Sequence, residues 1–171
     1  MHRLAGPGWM PTTAYYKCRY EILRKPLGFE LGAEILEDDV DAIHAYVEID
    51  HEVVAVGRSH LIPEDSDGAQ SDFPGQPGPK TPPFSHLDEN HRPAIQIRQM
   101  GTLETHRRQG YACKILNVLE EASKAKFGAV CGFLQAREGA IPFYHSQGWV
   151  LIDEPYSIPN VGPHRSMMKR F

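Results

Sequence analysis

Apolar residues recur with two different periods along residues 12–62, and this predicts a helix followed by a β-hairpin. From an N-cap at Thr12 or Thr13, the segment AYYKCRYEILRK repeats apolar positions every three to four residues. The shared face comprises Tyr15, Cys18, Arg19 and Ile22. Residues 41–62 instead alternate on both sides of the polar Asp50–His51 pair, which favours two strands joined by a short turn. The first eleven residues, rich in glycine and proline, are expected to form a loose arm.

Residues 94–104, AIQIRQMGTLE, read as a strand whose alternation is interrupted. Ile95 and Ile97 set one parity of apolar positions, whereas Met100 has the opposite parity. One extra residue near Arg98–Gln99 would restore the alternation, as a β-bulge does. A strand buried on both faces would give the same pattern without a bulge.

The remaining pattern predicts a helix, a strand, a short helix and two strands. GYACKILNVLEEASKAKFG carries an apolar stripe at helical spacing and ends at Gly128, a suitable residue after a helix C-terminus. AVCGFLQA is a short buried strand, EGAIPFYHSQ a short helix, and WVLID and HRSMMKRF are antiparallel strands. Because a strand–helix–strand crossover is right-handed and joins parallel strands, the fold class is α/β (α+β), a mixed sheet with helices on both faces.

Residues 63–93 differ in composition from the rest of the chain. They contain 7 of the 14 prolines and many small polar residues. Such a segment is expected to be a flexible insertion in a surface loop of one domain that spans residues 1–171. A flap that covers a substrate is the functional alternative.

Composition excludes several classes of protein. Apolar content of 41% and charged content of 23% are ordinary for a globular domain, and the net charge of −4 weighs against nucleic-acid binding. No apolar run approaches the roughly 20 residues that cross a membrane, and the N-terminus has no apolar leader, so we expect a cytoplasmic protein. The three cysteines form no CxxC pair and the nine histidines no HExxH or HxH spacing, so no metal site is expected.

The stretch THRRQGYACKIL has the features of a phosphate site at a helix N-terminus. The N–H groups of Gln109, Gly110, Tyr111 and Ala112 would be donors, and Arg107 and Arg108 would supply positive charge. The spacing matches neither GxGxxG nor GxxxxGK[ST]. A basic, solvated helix start is the alternative.

Three motifs resemble the GNAT N-acetyltransferase superfamily. Arg107-x-x-Gly110-x-Ala112 is similar to its Gln/Arg-x-x-Gly-x-Gly/Ala signature, and PFYHSQGW, with Ala140 leading, resembles its second hallmark. The closing GPHRSMMKRF resembles the terminal strand of a bacterial branch. The resemblance covers residues 94–171 well and the N-terminal part loosely. It implies a GNAT-like, mostly antiparallel twisted sheet with two central splayed parallel strands.

The resemblance also implies acetyl-CoA as co-substrate and a role for individual residues. The backbone of Met100, Gly101 and Thr102 would meet the pantetheine arm and thioester, and residues 107–112 would hold the pyrophosphate. The family strand carries a bulge before these positions, in agreement with the parity change. Tyr144 matches the tyrosine that protonates the departing CoA thiolate, and a buried core aromatic is its alternative role.

Two positions depart from the family pattern. Arg137 stands where many relatives have an asparagine that contacts the cofactor, and Gly132 stands where some have a carboxylate base. Glu104 is therefore the first candidate for the base, with simple solvent exposure as the alternative. His106 and His164 are weaker candidates, since nothing in the sequence fixes their positions.

The acceptor side is less determined. In the family it is lined by the N-terminal helix, the loop after it and the hairpin, and here that loop contains the acidic Glu37–Asp41 stretch. These carboxylates could attract a cationic amine, or simply form an acidic surface. The expected function is acetyl transfer from acetyl-CoA to a small-molecule or peptide amine. The alternatives are a non-catalytic acyl-CoA sensor and transfer of a longer acyl chain. Many relatives form homodimers, which makes a dimer a candidate assembly.

Overall fold

The computed structural model describes residues 2–71 and 80–171, and the contacts divide the chain into two compact units. The first contains Met1–His60 and Ile97–Ala122, and the second contains Leu61–Gln96 and Ser123–Phe171. The elements are β1 (His2–Leu4), α1 (Thr13–Leu23), β2 (Ile43–Ile49), β3 (Glu52–Leu61), β4 (Ala94–Thr102), α2 (Tyr111–Phe127), β5 (Cys131–Arg137), α3 (Ile141–Ser146), β6 (Val150–Ile158) and β7 (Gly162–Arg170).

The strands follow the order β1-β2-β3-β4-β5-β7-β6, mostly antiparallel with one parallel pair. The mixed α/β class and the predicted order of helices and strands from α1 onward are therefore confirmed. The splaying of two parallel strands that the resemblance implies stays a prediction.

The N-terminal helix and hairpin follow the sequence pattern closely. Thr12 caps α1, and its side chain accepts a hydrogen bond from the Tyr15 N–H at 3.3 Å. The turn between β2 and β3 has positive φ at both central residues, 47° at Asp50 and 66° at His51. This is the backbone that a two-residue hairpin needs in order to match the twist of its strands.

The expectation of a loose arm is wrong for residues 2–4. They form β1, which pairs antiparallel with β2 and places Arg3 opposite Tyr46. Three residues are too few to display a period of two, so the pattern gave no signal of this strand. The pairing depends on the neighbouring strand and becomes visible only in the fold.

Two helices pack on opposite faces of β3 in the first unit. Val56 lies in an apolar cluster with Tyr15 and Cys18 of α1. The next residue, Gly57, points to the other face, where a Cβ would lie 2.7 Å from Ile115 and 3.2 Å from Leu119 of α2. Because successive side chains of a strand face opposite ways, β3 is covered by α1 on one side and by α2 on the other. The prediction of helices on both faces is confirmed here.

In the second unit, described parts of the segment 63–93 pack against the strands. Phe84 is buried and its ring centroid lies 5.0 Å from that of Phe133 on β5. The amide of Gln70 donates to Gln96 at 2.6 Å, and that of Gln135 donates to the carbonyl of Pro82 at 3.3 Å. The composition of the segment did not predict these contacts. Residues 72–79, at the centre of the predicted flexible insertion, lie outside the described residues.

Strand β6 is longer than the sequence pattern predicts. It continues past Pro155 to Ile158, and its pairing with β7 shifts register between Ile152 and Tyr156. Asp153, within the shifted part, has a φ of 58°. The irregularity lets the strand pass a proline, which cannot donate to the ladder, and resume pairing beyond it.

Candidate active site

The connection from β4 to α2 is an exposed loop with left-handed backbone at two residues. A 3-10 turn at Glu104–His106 precedes it, and Arg108 and Gly110 have φ values of 63° and 78°. A Cβ at Gly110 would meet no atom within 4 Å, so the backbone there is open to a ligand. The Lys114 N–H donates to the Gly110 carbonyl at 3.1 Å, which makes Gly110 the residue at which the helical ladder starts. The N–H groups that precede Lys114 have no partner within the helix.

The side chains of this loop are basic and solvent-exposed. Arg107, Arg108 and Gln109 are all exposed, and the Arg107 Nε donates back to the Thr102 carbonyl at 3.5 Å. Tyr111 begins α2 and its ring has the Lys114 ammonium at 5.7 Å from the centroid. Positive side chains and first-turn N–H groups are the two features that bind phosphate at a helix N-terminus. The structure therefore brings the predicted residues from Arg107 to Ala112 together in one loop that has both features.

A bulge is predicted near Arg98–Gln99 of β4, and the backbone is distorted there at Gln99, which we call the bulge. This residue has a φ of 55° inside an otherwise extended strand. A left-handed residue within a strand breaks the alternation of side chains, which is what the parity of Ile97 and Met100 indicates. The predicted backbone distortion is confirmed.

The three residues after the bulge have different surroundings. The Met100 side chain occupies the space beside Gly57, and a Cβ at Gly101 would lie 2.5 Å from the Ile22 Cγ2 of α1. The Thr102 Oγ1 is buried and has no hydrogen-bond partner in the part of the chain that the structure describes. All three residues are half-buried, so their backbone lies at the border between the packed core and solvent.

Tyr144 lies on α3, a helix of six residues with a proline in its first turn. Its side chain is buried against Phe143 and Trp149, at ring-centroid distances of 5.0 and 6.3 Å. Burial raises the pKa of Tyr144 well above its ordinary range. The phenol therefore stays protonated at neutral pH and has a proton to donate.

The structure explains why Gly132 replaces the carboxylate that some relatives carry. A Cβ at Gly132 would lie 2.8 Å from the rings of both Trp149 and Phe171. Aromatic side chains thus occupy the volume that a longer side chain would need. A base at this position is excluded by packing, and the sequence gives no sign of it because Phe171 is 39 residues away.

The other predicted polar residues lie on separate elements of the chain. Glu104 and Arg137 are exposed, the first at the start of the 3-10 turn and the second at the end of β5. His106 is within 2.9 Å of the Thr105 hydroxyl. His164 lies on β7, where its Nδ1 donates to the Gly162 carbonyl at 2.8 Å and its ring stacks on Tyr156.

The acidic stretch Glu37–Asp41 is tied into a buried ion-pair network. Asp39 is paired with Arg19 at 2.8 Å and with Arg58 at 3.0 Å, and both arginine side chains are fully buried. Burial by itself would raise the pKa of Asp39, but the two guanidinium groups hold it below its ordinary value. Asp38 also pairs with Arg58, accepting hydrogen bonds from its Nη1 at 2.8 Å and its Nη2 at 2.9 Å. Two of the four carboxylates are therefore already neutralised, which neither interpretation of the sequence foresaw.

A second group of polar side chains extends this network. The His44 ring contacts the Tyr15 hydroxyl at 3.1 Å and the Asp39 carbonyl at 2.8 Å. Burial lowers the pKa of His44 to about 4, so the ring is neutral at pH 7. The one sequence signal for the network is Arg19, a charged residue on the buried face of α1.

Comparison with known proteins assigns the family. The acetyltransferase (GNAT) family model matches residues 9–149, and the chain belongs to this family. No curated protein matches the sequence. Family membership indicates an acyltransferase that uses an acyl-CoA donor.

Solved structures that are similar to this chain share its fold over nearly the full length. They include an acyl-CoA N-acyltransferase from Pseudomonas aeruginosa, with 15% identity, a TM-score of 0.66 and coverage of 99% of this chain and 98% of that chain. A ribosomal-protein-alanine N-acetyltransferase from Brucella melitensis has 12% identity, a TM-score of 0.62 and coverage of 100% and 99%. An aminoglycoside 6'-N-acetyltransferase complexed with coenzyme A has 12% identity, a TM-score of 0.63 and coverage of 98% and 96%.

Two further observations apply to residues 2–71 and 80–171. No helix among them is long and apolar enough to cross a membrane. Among the same residues, no group of three or more histidine, cysteine, aspartate or glutamate side chains is placed to hold a metal ion.

Proposed function

We propose that the protein is an N-acetyltransferase that moves an acetyl group from acetyl-CoA to a primary amine of a small molecule or peptide. The observation that carries the proposal is the loop at Arg107–Ala112, in which an unobstructed glycine opens a helix beside two exposed arginines. Membership of the GNAT family supports the same donor. The pyrophosphate of the cofactor would accept hydrogen bonds from the first-turn N–H groups and be neutralised by Arg107 and Arg108.

The acyl end of the cofactor is proposed to lie along the residues that follow the bulge. Backbone N–H groups of Met100–Thr102 would polarise the thioester carbonyl, so that negative charge on its oxygen is stabilised during attack. The amine nitrogen forms a bond to the carbonyl carbon, the carbon–sulfur bond breaks, and CoA leaves as a thiolate. Holding both substrates in this geometry supplies much of the rate enhancement.

Tyr144 is proposed to protonate the departing thiolate. Burial keeps the phenol protonated at neutral pH, so it carries a proton when the thiolate forms, and the tyrosine then regains a proton from water. Glu104 removes a proton from the acceptor ammonium before attack, directly or through water, since packing excludes a carboxylate at Gly132. The nitrogen loses its second proton to water after the bond to the carbonyl carbon has formed. Arg137 is proposed as a further cofactor contact.

The experiment that tests the proposal is CoA release from acetyl-CoA in the presence of a panel of primary amines. Tyr144→Phe is expected to lower kcat by roughly 10²-fold to 10⁴-fold, the usual contribution of a general acid. Tyr20→Phe is the matched control, because it also removes one tyrosine hydroxyl. Tyr20 lies on α1, and its hydroxyl donates to the Phe29 carbonyl at 3.1 Å. Stabilisation by acetyl-CoA without turnover of any amine would instead identify a sensor and end the proposal.

The phosphate loop is tested separately by Gly110→Asp. A carboxylate about 4 Å from the pyrophosphate costs a few kcal/mol at a protein surface, so acetyl-CoA affinity is expected to fall by roughly 100-fold or more. Gly128→Asp is the control, since Gly128 has a similar φ of 62° and also has no atom within 4 Å of a Cβ. Equal acetyl-CoA affinity in the two variants, measured by calorimetry, would show that the loop does not hold the cofactor.

A further inference from the structure

Arg24, the residue that ends α1, contacts two separate parts of the first unit. Its side chain is almost fully buried. The Nε donates to the Ala33 carbonyl at 2.9 Å, and the Nη2 donates to the Gln99 Oε1 at 3.2 Å. One rigid guanidinium group therefore joins the segment after α1 to the bulge of β4.

The Gln99 contact falls on a residue with a costly backbone conformation. A φ of 55° is rarely adopted by a residue with a side chain, and such a conformation persists only where the surroundings hold it. The hydrogen bond from Arg24 fixes the Gln99 side chain and thereby restrains the bulge. The next residues along the chain are Met100–Thr102, to which the thioester is assigned above.

The end of α1 meets the same part of β4 at a second point. Ile22 fills the space beside Gly101, where a Cβ would lie 2.5 Å from its Cγ2. Ile22 and Arg24 together place the last turn of α1 directly on the strand that follows the bulge.

The Ala33 contact ties the other end of the guanidinium to the segment after α1. The neighbouring Glu34 carbonyl accepts from the buried Arg19 Nη1 at 2.9 Å, so two consecutive carbonyls of this segment are held by arginines of α1. An arginine can make both of the Arg24 contacts because its donors lie in a planar, fixed arrangement. A lysine has a single ammonium group and cannot reach two acceptors that lie in different elements in the same way.

We propose that Arg24 is a positioning residue for acyl transfer, which holds the β4 bulge and the following Met100–Thr102 in a fixed place relative to the segment at Ala33–Glu34. This inference rests on the proposed function. Arg24 touches neither substrate in this proposal; it acts through Gln99.

The test uses the tolerance of glycine for positive φ. In Gln99→Gly the bulge no longer needs a restraint, because glycine adopts this conformation without steric cost. Arg24→Met is therefore made in the natural sequence and in the Gln99→Gly background. We expect it to lower kcat/KM for acetyl-CoA by about 10-fold to 100-fold in the natural sequence, as displaced reacting groups do. In the Gln99→Gly background the loss is expected to be about tenfold smaller.

Controls separate this role from a structural one. Lys25→Met removes a cation from the same helix end, where Lys25 is exposed and paired with Glu21 of the preceding turn. It is expected to leave kcat/KM within about twofold. A purely structural role for Arg24 would give equal losses in both backgrounds, and that result would overturn the inference. If urea unfolding shows that Arg24→Met does not fold, Arg24→Lys takes its place in both backgrounds.

Failure of the inference is distinguishable from failure of the proposed function. Wild-type protein that releases CoA, with equal losses from Arg24→Met in both backgrounds, refutes the positioning role alone. Wild-type protein that binds acetyl-CoA but never releases CoA refutes the proposed function. In that case the same variants are compared by the calorimetric Kd for acetyl-CoA, and equal weakening in both backgrounds again overturns the role of Arg24.

Discussion

Replacement of Asp39 by asparagine removes the negative charge at the centre of the buried ion-pair network. The carboxylate lies between Arg19 and Arg58, accepts the Leu36 N–H at 3.1 Å, and is almost fully buried itself. Asparagine has nearly the same shape, so the change alters charge and hydrogen bonding while it leaves the packed volume almost intact.

The magnitude follows from the charges that remain. Arg19 is fully buried, and without Asp39 its guanidinium loses the carboxylate to which it donates three hydrogen bonds. Removal of one partner from a buried pair typically costs about 3–5 kcal/mol of stability, because an uncompensated charge stays in the interior. Asp38→Asn is the matched control. Its side chain is 42% exposed and Arg58 keeps Asp39, so the expected cost is about 1 kcal/mol or less.

Urea unfolding at pH 7, followed by far-UV circular dichroism, measures both variants. With a slope of about 2 kcal/mol per molar urea, Asp39→Asn should lower the midpoint by about 1.5–2.5 M and Asp38→Asn by about 0.5 M or less. A midpoint for Asp39→Asn that is no lower than that for Asp38→Asn would refute the reasoning. It would mean that water or relaxation of the segment compensates Arg19 in the variant.

Two further predictions concern packing and pH. Gly101→Ala should lower the stability by about 1–3 kcal/mol, because its Cβ would overlap Ile22. Gly139→Ala, which has open space around its Cβ, should change the stability by no more than about 0.5 kcal/mol. Equal urea midpoints for the two variants would contradict the contact with Ile22. His44 has a pKa of about 4 in the folded state, below its value in the unfolded state. The unfolded state therefore binds more protons between about pH 6.5 and 4, and the free energy of unfolding falls as the pH is lowered through this range. His44→Asn should reduce that slope by about 1.4 kcal/mol per pH unit, and an unchanged slope would contradict the assignment.

Local features of the site could be predicted because they depend on residues that are close in sequence. The cap at Thr12 and the left-handed Gly128 after α2 each follow from the residues of one turn. The bulge at Gln99 is visible as a change of parity within four residues. The loop at Arg107–Ala112 is likewise contiguous in the sequence, so its arginines and its glycine could be identified from the sequence directly.

Strand pairing and side-chain packing between residues that are distant in the sequence could not be predicted in this way. The strand at His2–Leu4 exists because β2 offers a partner, and β6 passes Pro155 because β7 resumes pairing beyond it. The composition of residues 63–93 suggested a segment without a core, yet Phe84 from this segment is buried against Phe133.

The sequence by itself therefore determined the order of the elements from α1 onward, the family motifs and the loop that binds phosphate in our proposal. Only the tertiary structure decided that Asp39 pairs with two buried arginines, that Phe171 and Trp149 occupy the place of a base at Gly132, and that Arg24 reaches Gln99. The physical reason is that periodicity reports which face of an element is buried, whereas ion pairs and steric exclusion depend on which side chain stands opposite. The fold determines that partner, and in these three cases the interacting residues are 17 to 75 residues apart in the sequence.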